Sequence, residues 1–243
     1  MVAWVLLVTV VLLGALGGQA RANDVSVRDL TQEQFRELST EVGLAITPYQ
    51  LRPAEGLGFP GFDLGAEVTA VEINRSRSYW QEAVDDPDDL PSFLPVPKLH
   101  ANVGLPLGID LGGYYGAVPG SNVRLYGGDV KWAVIRGGVV WPALAVRGAY
   151  TKLDGVDDLD LDTKSLDASL SKGFGPLTPY VGAGRVWMEA EPRGAAAGVL
   201  ERETEQEDRV FVGLRLRALL VSAVAEASFA KVPAYTLRLN VSF

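Results

Sequence analysis

Residues Ala234–Phe243 read AYTLRLNVSF. Tyr235, Leu237, Leu239, Val241 and Phe243 take every second place, and Thr236, Arg238, Asn240 and Ser242 fall between them. Successive side chains of a strand point to opposite faces, so the first set makes an apolar face and the second a polar one. The polar face carries an arginine, which a dry soluble core does not accept without a partner. The strand therefore has lipid-like chemistry on one side and water-like chemistry on the other.

Upstream the same alternation recurs. Phe62 to Glu72 sets Leu64, Ala66 and Val68 against Asp63 and Glu67, and Val96 to Leu105 sets Leu99, Ala101 and Val103 against Lys98, His100 and Asn102. Leu107 to Ala117 sets Ile109, Leu111 and Tyr115 against Asp110. In Val123 to Ile135 the pair Gly127–Gly128 predicts a bulge where the parity slips; after it Val130, Trp132 and Val134 oppose Asp129 and Lys131. Ala143 to Thr151 opposes Val146 and Tyr150 to Arg147, and Leu159 to Lys172 opposes Leu166, Ala168 and Leu170 to Asp167. Leu177 to Glu189 is less regular and puts Tyr180, Val186 and Met188 on the apolar face, Arg185 on the polar one. Arg209 to Arg217 opposes Val210, Val212 and Leu214 to Arg215, and Val221 to Ala230 opposes Ala223, Ala225 and Phe229 to Glu226. With the terminal strand this makes about ten strands, eight or twelve also being compatible, and several approach the roughly 9–11 residues that a tilted strand needs to cross a bilayer. Soluble strands average roughly 5–6 residues.

The connections alternate in length. Residues 74–95, 154–158 and 190–208 are long or acidic, whereas Pro106, 136–138, 173–176 and 218–220 mark tight turns. Long outer loops and short inner turns are the habit of outer-membrane barrels. Aromatics sort the same way: Tyr115, Tyr150, Phe229 and Tyr235 fall near outer strand ends, Phe62, Trp132, Tyr180 and Phe243 near inner ends.

Taken together, the terminal strand with its aromatic end, the alternation and the two girdles resemble a small Gram-negative outer-membrane β-barrel protein of the porin and fatty-acid-transporter kind. Arg238 departs from that pattern, since a small residue is common there. The resemblance implies a closed antiparallel transmembrane up-and-down barrel over 61–243. It also implies that the barrel assembly machinery reads Tyr235, Leu237, Leu239, Val241 and Phe243, and that outer-membrane lipid and lipopolysaccharide surround the wall.

Residues 2–16 are an apolar run followed by Ala20-Arg21-Ala22, a signal-peptidase pattern, so 1–22 reads as a cleaved leader to the outer membrane. Removing it takes away Arg21 alone among the charged side chains of a chain whose formal charge is −8. That acidity, with no basic stripe, excludes nucleic acid as the expected partner. The absence of cysteine removes disulfides and thiolate chemistry together. Residues 23–60 hold an amphipathic helix, with Thr31 and Gln34 at capping-box spacing, and a connector rich in Pro and Gly. The helix is expected to pack on the periplasmic end of the barrel; a plug in the lumen is the alternative, since one apolar stripe suits either.

Of chemistry there is little. His100 is the one histidine. Lipid A deacylases and phospholipases of the outer membrane carry a Ser and a His in the wall, but His100-Ala101-Asn102 offers no serine two places on, and a polar lumen residue is the plainer reading. The acidic runs Asp85–Asp89 and Asp154–Asp162 read as solvated loops, with a divalent ion or a bridge to lipopolysaccharide phosphate as the sharper reading. No catalytic, cofactor or metal residues are assigned. The expected lumen is a network of Asp63, Glu67, Lys98, His100, Asp110, Asp129, Lys131, Arg147, Asp167, Arg185, Arg215, Glu226 and Arg238, its opposite charges paired, with Glu67 meeting Arg238 across the seam. The expected role is structural or passive small-solute transport without catalysis. Transport of a small hydrophobic ligand gated by the helix is the second reading, and a lipid-modifying enzyme the third.

Overall fold

The computed structural model describes residues 26–83, 92–118 and 122–243; the cleavage pattern at Ala20 and Ala22 and the run Asp85–Asp89 lie outside them. Ten strands form one closed barrel: β1 (Phe62–Glu72), β2 (Phe93–Gly104), β3 (Ile109–Ala117), β4 (Arg124–Arg136), β5 (Ala143–Asp154), β6 (Leu159–Ser171), β7 (Leu177–Pro192), β8 (Glu203–Ala218), β9 (Val221–Phe229) and β10 (Ala234–Ser242). Each pairs antiparallel with its neighbours in the chain, and β1 closes onto β10. Closure leaves no unpaired edge, so every wall N–H and C=O can find a partner inside the ladder. At the seam the Phe62 N–H donates to the Phe243 carbonyl (2.7 Å), the Phe243 N–H donates back (3.0 Å), and the two rings stack with centroids 6.0 Å apart.

Two ends can be told apart. The turn end holds the short β2–β3, β4–β5, β6–β7 and β8–β9 connections, together with Phe62 and Phe243; the loop end holds the other five. Outward faces are apolar and exposed through Leu64, Leu99, Leu111, Val130, Leu166, Val212 and Leu237, while charged and hydroxyl side chains are buried inside.

Two expectations about strand parity fail. The irregularity in β4 is not at Gly127–Gly128, which pair in step with Thr151 and Tyr150; the register shifts between Ala133 and Ile135, near the turn end. In β7 the two faces are exchanged. Tyr180, Val186 and Met188 are buried inside, whereas Arg185 points outward and meets Asp208 at 2.6 Å. The reason is what the barrel contains. Near the loop end the interior is itself apolar, so Val186 and Met188 turn in toward it, and nearer the turn end Tyr180 turns in to donate its hydroxyl to Glu226.

The apolar interior is α1 (Gln32–Ile46). Thr31 caps it, its backbone N–H donating to Gln34 Oε1 (2.8 Å) and its hydroxyl accepting from the Gln34 N–H (3.4 Å). Phe35, Leu38, Leu44 and Ile46 pack against Val71, Val96, Leu125, Leu161 and Met188 on the inner wall. Gly43 permits the closest approach, because a Cβ there would lie 2.6 Å from the Met188 sulfur. The helix therefore does not pack on the turn end, the one expected to be periplasmic, but fills the loop-end half of the lumen. Polar ties fasten it there: Gln32 Nε2 donates to the Glu201 carbonyl (3.1 Å), Lys231 meets Glu37 (2.8 Å), and Arg28 meets Asp158 (2.7 Å).

Candidate functional site

From the end of α1 the chain descends through the barrel. Residues 47–57 run down the middle of the lumen, and the chain turns into β1 only at the turn end. An extended segment has no hydrogen-bond ladder of its own, so its polar groups need partners from the wall. They have them. The Pro48 carbonyl accepts from Arg147 Nη1 and Arg209 Nη2, both at 3.2 Å. Lys131 Nζ donates to the carbonyls of Pro53 (3.0 Å) and Glu55 (2.7 Å), and Lys98 Nζ reaches Thr47 O at 3.4 Å. On the donor side, the N–H groups of Leu51, Ala54 and Leu57 give to Glu226 Oε2 (2.9 Å), Ser171 Oγ (3.0 Å) and Asp110 Oδ1 (3.0 Å). Pro48 and Pro53 carry no N–H, which removes two donors that would otherwise need an acceptor.

The same wall charges also pair with one another. Asp110 holds Lys131 (3.1 Å) and Arg52 (3.8 Å); Asp129 holds Arg52 and, at 3.3 Å, Arg147; Asp167 holds Arg209 (2.7 Å) and Arg147 (3.6 Å). Arg215 reaches Glu55 at 2.9 Å. Bridging arginines thus join the acids into a belt, as buried charges require. Glu226 has hydrogen-bond donors in place of a cation: the Tyr180 hydroxyl gives to it at 2.8 Å, beside the Leu51 N–H. Aromatic rings share this crowded space because glycines opposite them lack a side chain. A Cβ at Gly213 would lie 2.1 Å from the Tyr180 ring, and one at Gly182 would lie 2.3 Å from the Phe211 ring.

Asp63, Glu67, Lys98, His100, Asp110, Asp129, Lys131, Arg147, Asp167, Glu226 and Arg238 lie buried inside the barrel, and Arg215 lies inside nearer its mouth. Arg185 does not. Glu67 and Arg238 stand opposite each other in register, yet Arg238 turns to Asp63, which also accepts from Asn102 (3.0 Å), Ser242 (2.7 Å) and Asn240. Glu67 is met instead from β2, by His100 Nε2 at 2.8 Å and Lys98 Nζ at 3.8 Å. Three participants escaped the sequence reading. Arg209 shares the inward parity of Arg215 and could have been read from it. Arg52 and Glu55 lie on the connector, where no strand period marks a face.

At the loop end a short helix, α2 (Ser78–Ala83), closes over α1. The Tyr79 hydroxyl and the Trp80 indole N–H both donate to the buried Glu41 carboxylate, each at 2.7 Å. Burial, and then that carboxylate, push the Tyr79 phenol well above its ordinary pKa, so it stays a donor. The nearby acidic turn is spent on side chains: Asp158 holds Arg28, and Asp160 holds Lys152 (2.9 Å) and Arg193 (2.7 Å). His100 lies between Glu67 and the Tyr114 ring (centroids 5.2 Å apart).

Comparison with known proteins returns likenesses of shape. No family model matches the chain, and no curated protein matches it. Among solved structures it is similar to the N-terminal β-barrel domain of Pseudomonas aeruginosa OprF (13% identity, 76% of this chain and 99% of that one, TM-score 0.38). It is similar also to the translocator domain of the autotransporter NalP from Neisseria meningitidis (11%, 87% and 94%, TM-score 0.39) and to the KdgM porin (8%, 74% and 99%, TM-score 0.38).

Proposed function

We propose that the chain is a bacterial outer-membrane barrel held shut by its own N-terminal segment, a structural element of the envelope and not a general pore. The membrane part of this reading rests on the side-chain distribution. The outward band is apolar and flanked by Tyr115, Tyr126, Tyr150, Phe229 and Tyr235 toward the loop end, and by Trp132, Trp141, Phe174 and Phe243 toward the turn end. Such a surface is costly in water and suited to lipid between two interfaces. The turn end then faces the periplasm, the loop end faces outside, and residues 1–22 serve as the leader. Closure is carried by one observation: residues 47–57 occupy the lumen and are hydrogen-bonded to it from both sides.

Neither of the other readings gains comparable support. The apolar stripe of α1 is spent on the wall, which speaks against a gate for a hydrophobic ligand, and His100 faces Glu67 and Tyr114, which speaks against a lipid-modifying enzyme. Lipopolysaccharide around the loop-end girdle and the assembly machinery at β10 are the partners that the reading implies. If the machinery reads the terminal strand, Phe243→Asp should leave unfolded protein in the periplasm; equal amounts of heat-modifiable protein in wild type and variant would argue against it.

The threaded path is tested by cysteine labelling, which the cysteine-free chain makes clean. On intact cells, a membrane-impermeant maleimide should reach Asp29→Cys at the top of the segment and Val199→Cys in an outer loop. It should not reach Gly138→Cys. Labelling of Gly138→Cys but not Asp29→Cys would invert the orientation. Labelling of Val199→Cys alone would mean that the segment does not emerge outside.

A further inference from the structure

The four tight connections of the turn end, residues 105–108, 137–142, 172–176 and 219–220, and the strap 56–61 beside them contain no Asp or Glu. Their apolar side chains project instead: Val139 is 98% exposed, Leu219 82% and Trp141 74%, with Leu107, Phe174 and Phe59 also bare. Between this rim and the apolar wall above it, the charged side chain with outward parity among the described residues is Lys172, which sits between Leu170 and Phe174. The loop end differs, for there the wall finishes in charged pairs such as Lys152–Asp160 and Arg185–Asp208.

The longest of these turns, residues 137–142, is tied to Lys172. Lys172 Nζ donates to the carbonyls of Gly138 (2.7 Å), Val139 (2.6 Å) and Trp141 (3.3 Å), and the Gly138 N–H donates to Trp141 O (3.0 Å). The carbonyls of the turn are thus satisfied by Lys172 while Val139, Val140 and Trp141 stay exposed, so the apolar side chains can leave water without stranding those backbone groups. Beside this turn lies a cleft of about 390 Å³, lined by Phe59, Leu105, Pro106 and Leu107 with Arg136 at its edge. Clefts that take small ligands run from roughly 300 to 1,000 Å³. Arg136 and Arg217 stand exposed at the mouth, and neither forms an ion pair among the described residues.

We propose that the turn-end rim docks anionic phospholipid of the leaflet it faces. The projecting residues and the cleft take acyl chains, and Arg136 and Arg217 take the headgroup phosphate. This rests on the membrane reading above. Charge complementarity and continuity with the lipid-facing wall favour lipid over a protein partner, because a basic mouth beside an apolar rim that carries cations and no Asp or Glu matches an anionic headgroup over its chains.

The test uses single cysteines at Val140 and, as a control, at Leu237 in the middle of the wall, each carrying an environment-sensitive fluorophore. The protein is reconstituted in phosphatidylcholine vesicles containing, at equal mole fraction, either brominated phosphatidylglycerol or brominated phosphatidylcholine. The Val140→Cys label should be shielded from iodide and quenched at least about twofold more by the anionic lipid. Arg136→Gln with Arg217→Gln, both at exposed positions, should bring the two lipids level. Iodide access as in water, equal quenching by both lipids in the wild type, or a preference that survives the double substitution would each overturn the proposal. If Leu237→Cys is quenched while Val140→Cys stays wet, the rim inference fails alone and a periplasmic protein becomes its occupant. If neither label is quenched, the membrane reading fails as well.

Discussion

Purified wild-type protein in a planar bilayer should show no resolvable conductance steps, whereas a variant lacking residues 26–57 should show them. The size of the effect follows from what leaves. A helix with its side chains is about 10–12 Å across, and α1 fills the loop-end lumen while the connector fills the rest. Their removal vacates a bore of that order, lined below by the cations and acids that had held the connector. Heat-modifiable mobility checks that the deleted barrel is folded. Should the deletion fail to fold, urea added to the inserted wild type offers the same comparison. The connector is held by individual hydrogen bonds, whereas the wall is a closed ladder, so steps should appear while the barrel persists. Steady conductance of the untreated wild type would show an open lumen. A folded deletion variant that remained silent would show that something other than the segment closes the barrel.

How much of this was legible depends on how local each signal is. A strand announces its faces by its own alternation, so β10 and the inward charges of β1 to β6, β8 and β9 could be read residue by residue. The expectation fails in β7, where Val186 and Met188 face the apolar interior and not lipid, because alternation within one strand does not tell an apolar body inside the barrel from a bilayer outside it. A clue was available in the chain. Val71, Val96, Leu125, Leu153, Leu159 and Leu161 all share the inward parity of their strands and all fall in the loop-end halves. A lumen lined by apolar residues at one end calls for an apolar body inside it, and α1 is the one amphipathic stretch able to supply it. No comparable clue existed for residues 47–57. Their path is set by partners between 51 and 175 positions away in the chain, among them Lys98, Lys131 and Glu226, and no local period encodes such contacts. The Glu67–Arg238 pairing shows a further limit. Strand register placed the two Cα atoms opposite each other, but an arginine side chain can reach along the strand, and Asp63 gathers more donors there than Glu67.

Asp167→Ala should be among the most destabilising single substitutions in the barrel. Asp167 is buried and accepts from Arg209 Nε (2.9 Å) and Nη2 (2.7 Å), with Arg147 Nη1 3.6 Å away. Removing it strands a buried guanidinium, a loss on the order of 3–5 kcal/mol. Arg209→Leu should cost a similar amount, since it removes the hydrogen bonds to the carboxylate, leaving it only Arg147 at 3.6 Å, and frees one of the two bonds to the Pro48 carbonyl. The double variant is the informative one. With both charges gone, neither is left unpaired, so its loss should fall short of the sum of the single losses by at least about 2 kcal/mol. Urea midpoints for loss of heat-modifiability, followed at constant detergent, provide the three values. Losses that simply add, to within about 0.5 kcal/mol, would mean that the two groups are separately hydrated. The belt would then be water-filled, and the connector would have to be held by packing in the loop-end half alone. If the pair couples as expected, the same belt that stabilises the wall also holds the connector, because Arg147 and Arg209 each divide their donors between Asp167 and the Pro48 carbonyl. Loss of Asp167 should therefore loosen the plug before it unfolds the barrel, and intermittent conductance steps from folded Asp167→Ala protein would record that order.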